Sequence, residues 1–118
     1  MSEQILDMSA EKIAEGVGSR KLSASEVASA FIKRIEEVNP VINAICTLND
    51  TILEEARAID ERLASGGKPR PLEGVPFLIK DILQTKGVRT TFGSLLLEND
   101  VPDEDTISVE RLKAAGGI

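Results

Sequence analysis

Residues Val75-Pro76-Phe77-Leu78-Ile79 form an unbroken apolar run that is closed by two adjacent charges, Lys80 and Asp81. Continuous apolar runs of strand-forming residues are the signature of a strand carried into a core on both faces. The run therefore predicts a strand over residues 74–80. Pro76 donates no hydrogen bond, which restricts it to a sheet edge or to the start of a ladder. Lys80 then sits where the strand leaves the core. Taken alone, it is either a solvated strand end or an amine placed at the mouth of a site.

The elements around this run are mostly helical in pattern. Ser9 caps a short helix whose Ile13, Ala14 and Val17 share a face, and Gly18 stops it. Ser23-Ala24-Ser25-Glu26 is a capping box, followed at helical spacing by Val27, Ala30, Phe31, Ile35 and Val38, with Asn39-Pro40 ending the helix. Residues 42–48 predict a first strand. Thr51-Ile52-Leu53-Glu54 reads as a second capping box, with Leu53, Ala56, Ile59 and Leu63 as the apolar stripe and Gly66-Gly67 as the stop. After the lysine segment, residues 81–101 lack periodicity, and a loop this long in a compact domain is usually functional. The acidic group Asp103-Glu104-Asp105 precedes a last helix over residues 106–115, with Ile107, Val109, Leu112 and Ala115 facing inward. The order α-α-β-α-β-α gives an α/β or α+β class and one domain over residues 1–118. Ile118, after Gly116-Gly117, is expected to open a further strand that lies beyond it.

Composition removes several chemistries. The 118 residues include no histidine, tryptophan or tyrosine. A Ser-His-Asp triad, a Cys-His pair and an imidazole-based zinc site are therefore excluded. Acid–base work must fall to Lys, Asp or Glu or come from outside the chain, and no cofactor is expected. The net charge of −6 has no clustered basic face behind it, which argues against a nucleic-acid partner. Cys46, the single cysteine, lies in a strand-like stretch and reads as a small buried filler rather than a reactive thiol. An unpaired cysteine suits a reducing compartment. No signal peptide is visible, and no segment approaches the about 18 apolar residues of a membrane span. The expected location is the cytoplasm, without membrane contact.

Residues 71–81, Pro-Leu-Glu-Gly-Val-Pro-Phe-Leu-Ile-Lys-Asp, resemble the lysine segment of the amidase signature family. Other stretches match in the same order: Leu22-Ser23-Ala24-Ser25-Glu26-Val27, Arg34 to Pro40, Asn43-Ala44, Gly87 to Ser94, and Asp105-Thr106 through Gly116. The resemblance covers nearly everything from about residue 9 onward, and several ordered segments together are far more specific than one. It implies a piece of an α/β/α sandwich with a mixed sheet. It also implies hydrolysis of amide C–N bonds by a Ser-Ser-Lys triad whose middle serine follows a cis peptide bond. A lysine amine is a poor base at its reference pKa of about 10.4, but burial disfavours the charged form. A neutral amine can then pass a proton through one serine to activate another. Backbone N–H groups would hold the oxyanion.

By this resemblance Lys80 is the catalytic lysine. The two serines belong to a Gly- and Ser-rich segment that lies further along family members and does not occur here. Ser94 and Ser108 fall in other family motifs. The chain thus corresponds to the N-terminal part of an amidase, expected to be inactive alone, with the remainder of the domain as a partner in trans. Asp81, Thr91, Gly93 and Ser94 are candidates for lining or supporting the site. Thr90 could join them, although a turn held by small polar residues explains this stretch as well. Two alternatives stand beside this one. The chain could belong to the amidase subunit of a tRNA-dependent amidotransferase, or it could be a non-catalytic module that binds a protein partner. A homo-oligomer is expected in either case, since unpaired strand edges and helix faces built for a larger sheet promote association. The faces expected to be exposed are Val27, Phe31 and Ile35 on one helix and Leu53, Ile59 and Leu63 on another.

Overall fold

The computed structural model describes residues 2–118. The described residues form the helices α1 (Ser2–Leu6), α2 (Ala10–Gly18), α3 (Ala24–Ile42), α4 (Ile52–Ala64) and α5 (Ile107–Ala114), with a 3-10 turn at Leu95–Leu97. Helix α1 has no counterpart in the sequence pattern. Ser9 caps α2 by accepting from the Lys12 N–H, and Ile13, Ala14 and Val17 are buried as expected.

Helix α3 starts on the expected capping box, with the Glu26 N–H donating to Ser23 Oγ at 3.0 Å and the Ser23 N–H to Glu26 Oε2 at 2.9 Å. A second anchor comes from α4. The Asp60 carboxylate accepts the Ala24 N–H at 2.6 Å and both the N–H (3.1 Å) and the hydroxyl (2.6 Å) of Ser25. The first N–H groups of a helix have no partner inside it, and negative charge is favoured there. Asp60 satisfies two of them and ties α4 to the start of α3, against which it packs. The core joins these helices, with Val17, Ala24, Val27, Ala28 and Ala56 fully buried and Ile13, Ile59, Leu63, Val75 and Ile118 nearly so.

Several expectations are corrected. Pro40 does not end α3, which runs on to Ile42. A proline inside a helix removes the bond to the carbonyl four residues back, and only Val41 and Ile42 follow Pro40 before the helix stops. The predicted strand over residues 42–48 does not form. Asn43 takes a left-handed conformation (φ 49°) and stops the helix. The Asn39 side chain then accepts the N–H groups of Ala44 (3.0 Å) and Ile45 (2.9 Å) and donates to the Ile45 carbonyl (2.9 Å). Backbone groups that a ladder would use are satisfied by one amide side chain. Cys46 is exposed, not a core filler. Thr51 makes no capping bond to the helix backbone. Its hydroxyl instead lies 2.8 Å from both Asn49 Oδ1 and Glu55 Oε1. Ile107 points outward, at 67% exposure, while Val109 is the residue of α5 that enters the core.

The predicted strand over residues 74–80 does not form either: Gly74, at φ +70°, belongs to the turn at 71–74, and residues 75–80 are not assigned to a strand. No β-strand occurs among the described residues, only an isolated antiparallel bridge between Thr85 and Val88. Ile118 nevertheless donates its N–H to the Val75 carbonyl at 2.9 Å and accepts the Phe77 N–H at 3.0 Å. These two bonds are one rung of a parallel ladder, and α5 lies in the crossover that a parallel pair requires. A ladder needs successive rungs, and among the described residues Ile118 supplies one. The described residues are thus helices around a single rung, and the predicted sheet order has no counterpart in them.

Candidate functional site

The lysine segment is held from below by a buried charge. Glu73 has 0% of its side chain exposed, and Arg62 from the last turn of α4 and Arg70 from the loop both pair with it. Arg70 donates from its backbone N–H to Oε2 (2.8 Å) and from its guanidinium to Oε1 (2.7 Å). Burial alone would raise the Glu73 pKa, but the bonds from Arg70 and Arg62 and the Arg70 charge outweigh it and hold the carboxyl below its ordinary value. Gly74 follows with φ +70°, and a Cβ there would meet Val17 and Ala24 at 3.0 and 3.1 Å. Only glycine lets this turn seat on α2 and α3. The turn's amides at Leu72 and Gly74 bond to the carbonyls of Ala115 and Gly116 at 2.8 Å each, which docks it on the end of α5. From this seat the chain runs extended to Lys80.

Lys80 emerges into an open cleft of about 640 Å³. Its walls are the Phe31 and Ile35 face of α3, the segment after α3 around Ile45 and Cys46, and residues 76–81. The Lys80 side chain is exposed and makes no hydrogen bond or ion pair with the described residues. Among the described residues no serine lines the cleft. The lysine is therefore available to a partner group that these residues do not provide.

Asp81 is bound to a turn ten residues on. Its Oδ1 accepts the Thr91 N–H at 2.7 Å, its Oδ2 accepts the Thr91 hydroxyl, and its main-chain carbonyl accepts the Phe92 N–H at 2.9 Å. Phe92 (φ 54°) and Gly93 (φ 68°) are both left-handed, and the Ser94 N–H closes on the Thr91 carbonyl at 2.9 Å. Positive φ at both central positions is the type I′ pattern. A phenylalanine in this region costs about 1–2 kcal/mol, which the bonds to Asp81 offset. The two bonds from Thr91 chiefly hold the Asp81 carboxyl below its ordinary value, against a smaller opposing effect of burial, with help from the nearby Cys46 thiol and the Arg89 charge. Arg89 is itself anchored, donating to the carbonyl of Glu98 (2.7 Å), to Thr47 Oγ1 (3.2 Å) and to the Cys46 carbonyl (3.2 Å).

Of the candidates named from the sequence, Lys80 and Asp81 share the cleft, and Thr91 is joined to Asp81. Gly93 joins them through its N–H to Thr91 Oγ1 at 3.2 Å. Ser94 does not join: its hydroxyl accepts the Leu96 N–H at 3.3 Å and caps the 3-10 turn. Thr90, buried, donates its hydroxyl to the Val88 carbonyl at 3.1 Å. Sequence reasoning missed Glu73, Arg62, Arg70 and Asp60. Nothing in the local pattern separates these charges from solvated ones. Among the described residues no three His, Cys, Asp or Glu side chains converge as a metal-holding group, and no helix is long and apolar enough to cross a membrane.

Comparison with known proteins places this geometry. Residues 26–118 match the model of the Amidase family. The chain is 48% identical over 108 residues to a glutamyl-tRNA(Gln) amidotransferase subunit of Bdellovibrio bacteriovorus, covering 92% of this chain and 22% of that protein. It is 38% identical to an acylamidase of Rhodococcus erythropolis, covering 100% of this chain and 25% of that one. The native peptide amidase of Stenotrophomonas maltophilia superposes with a TM-score of 0.88 at 29% identity, over 95% of this chain and 23% of its own. The chain thus spans about a quarter or less of the length of these relatives. With the family model matched over most of its residues, the chain belongs to the amidase family, also called the amidase signature family.

Proposed function

We propose that this chain supplies the lysine-bearing part of an enzyme that hydrolyses carboxylic amide C–N bonds, with Lys80 as the catalytic lysine of a Ser-Ser-Lys triad. The observation that carries the proposal is the position of Lys80. It ends an extended segment anchored by Glu73, opens into the cleft, and keeps its amine free of any partner among the described residues. The two serines would come from residues outside this sequence, so the 118 residues alone are inactive. Once the amine is desolvated by the completed site, it takes a proton from the bridging serine, which in turn deprotonates the nucleophile.

The test is a chimera in which this chain replaces the matching quarter of the Rhodococcus erythropolis acylamidase. Aryl-amide hydrolysis should be present in the chimera and fall at least about 1,000-fold in Lys80→Ala, because members of a catalytic unit act together. Undiminished turnover in a folded Lys80→Ala chimera refutes the role.

A second reading has its own support. The identity to the amidotransferase protein, 48%, exceeds the 38% to the acylamidase. On this reading the same lysine chemistry releases ammonia from an amide for use on a charged tRNA. The chain grafted into the Bdellovibrio protein separates the two, by assay of glutamine-dependent amidation of glutamyl-tRNA against free-amide hydrolysis. The cytoplasm is the compartment proposed for either activity. Outside a completed domain, the chain is proposed to associate with itself.

A further inference from the structure

We infer that Asp81 is the positioning residue for Lys80: its carboxylate ties the backbone at the lysine to the 91–94 turn and so sets where the amine enters the cleft. This inference rests on the catalytic role proposed for Lys80 and adds to it a device that acts through the neighbouring residue.

The geometry leads there in three steps. The Lys80 backbone is fixed on its N-terminal side by the rung between Ile118 and residues 75 and 77. On its C-terminal side, the Lys80 carbonyl accepts the N–H groups of Ile82 (2.7 Å) and Leu83 (3.0 Å), so the chain turns sharply immediately after the lysine. Asp81 is the centre of that turn, and all three of its available acceptor atoms are used on Thr91 and Phe92. The lysine side chain is thus free while its point of attachment is held on both sides, as preorganisation of a reacting group requires.

The chemistry requires a carboxylate at 81 and a hydroxyl at 91. An ionised carboxylate only accepts hydrogen bonds, so the Thr91 hydroxyl must donate to it. That leaves the oxygen's lone pairs to accept the Gly93 N–H at 3.2 Å, which wires the left-handed Phe92-Gly93 pair to Asp81. An amide at position 81 keeps one acceptor oxygen, so it cannot take the two Thr91 donors on separate oxygens as Oδ1 and Oδ2 do. Valine at 91 keeps the shape and removes the hydroxyl; serine keeps it. The other polar groups near Asp81 are the Cys46 thiol and the Arg89 guanidinium, and Arg89 is held by carbonyl and hydroxyl oxygens. Neither supplies the bonds that Thr91 does.

The experiment begins with the full 118-residue chain, labelled for NMR, as wild type, Asp81→Asn, Thr91→Val and Thr91→Ser. Asp81→Asn and Thr91→Val should each speed amide exchange at Thr91 and Phe92 at least about tenfold. They should also displace the Lys80 Cα and Cβ resonances and leave those of α2 and α3 in place, whereas Thr91→Ser, which keeps the hydroxyl, should match wild type. Unchanged Lys80 resonances in both variants overturn the inference. In the acylamidase chimera the same two variants should lower kcat about tenfold or more at unchanged KM, while Thr91→Ser should retain the wild-type kcat. A kcat equal to wild type overturns it as well. A chimera that stays active in Lys80→Ala refutes the catalytic reading instead, whatever the spectra show of the Asp81–Thr91 connection.

Discussion

The Arg62 guanidinium meets the Glu73 carboxylate across the gap between α4 and the turn at 71–74, with 36% of the arginine side chain exposed and none of the glutamate. Arg70 meets the same carboxylate from the loop, at the same exposure as Arg62. One buried charge therefore serves two half-solvated ones, and it lies seven residues before Lys80. Removing one partner of a buried pair usually costs about 3–5 kcal/mol, because the other is left uncompensated. Here the arginines can turn to water, so Glu73→Gln should cost about 3 kcal/mol, at the low end. Urea denaturation measures it. A loss under about 0.5 kcal/mol would show that the pair contributes nothing net.

The same group sets an acid limit. The Glu73 carboxyl lies below its ordinary value of 4.5 in the folded chain. In the window between the folded and the ordinary value, the unfolded chain binds more protons, so stability falls as pH falls. The contribution is present in full above 4.5 and is lost as pH drops through the folded value. The stability gap between wild type and Glu73→Gln should therefore be constant above about pH 5 and narrow as pH falls below about 4.5. A gap that stays constant there too would assign the Glu73 effect to shape rather than to charge. Asp81, lowered chiefly by its Thr91 bonds, adds a change of the same sign.

Gly116 is predicted to be the least replaceable glycine at the base of the site. It has φ +101°, and a Cβ there would lie 2.9 Å from the Glu73 Cα and 3.0 Å from its N, both backbone atoms that cannot swing away. Gly66 makes a control, with φ +89° and nothing within 4 Å. Gly66→Ala should cost about 1–2 kcal/mol from backbone strain alone. Gly116→Ala should exceed it by about 2 kcal/mol because the turn at Glu73 must shift. Equal losses in thermal or urea unfolding would mean that the turn moves without cost.

The helices were legible because their signals are local. Ser23 and Glu26 sit three apart, and the apolar stripe of α4 repeats at helical spacing. The strands were not, for two different reasons. At 42–48, the outcome was decided by the side chain of Asn39, which captures the next two amides, and no periodicity reveals that. At 74–80 the predicted strand does not form, because a strand is defined by its neighbour and Ile118 provides one rung. The faces expected to be exposed fail similarly. Val27, Ile59 and Leu63 are buried because α3 and α4 cover each other, while Phe31 and Leu53 pack partly against the same core. Lys80 was identified through a motif, whereas the Asp81–Thr91 connection and the Glu73 pair span residues that only the folded chain brings together.

The isolated chain should not hydrolyse amides, and Lys80 should not matter to its stability. An exposed side chain without partners among the described residues has little to lose, so Lys80→Ala should change stability by less than about 0.5 kcal/mol. Aryl- and alkyl-amide assays at high protein concentration check the first part. Turnover that vanishes in Lys80→Ala would reveal a nucleophile within these 118 residues, Ser94 and Thr91 being the first to substitute.

The final prediction concerns self-association. The chain exposes 7852 Å² of accessible surface. A compact monomer of 12.7 kDa would expose about 6,200 Å². The surplus of about 1,600 Å² per chain is about twice the roughly 800 Å² that each partner contributes to a standard protein–protein interface. It is apolar where it matters for the site. Leu78 is 74% exposed on the extended segment itself, and Leu95 and Leu96 reach 85% and 96% on the 3-10 turn beyond it. An extended segment that pairs at a single rung also leaves amides and carbonyls open for a second copy. Light scattering over a dilution series should therefore show a dimer at micromolar concentration, most simply a two-fold one. Leu78→Glu should shift it to monomer while the helical signal is retained, since this side chain contributes nothing to the buried core. A well-folded wild-type monomer across the series would refute the prediction, and would mean that water covers the face around Leu78 at a cost that the helices can bear.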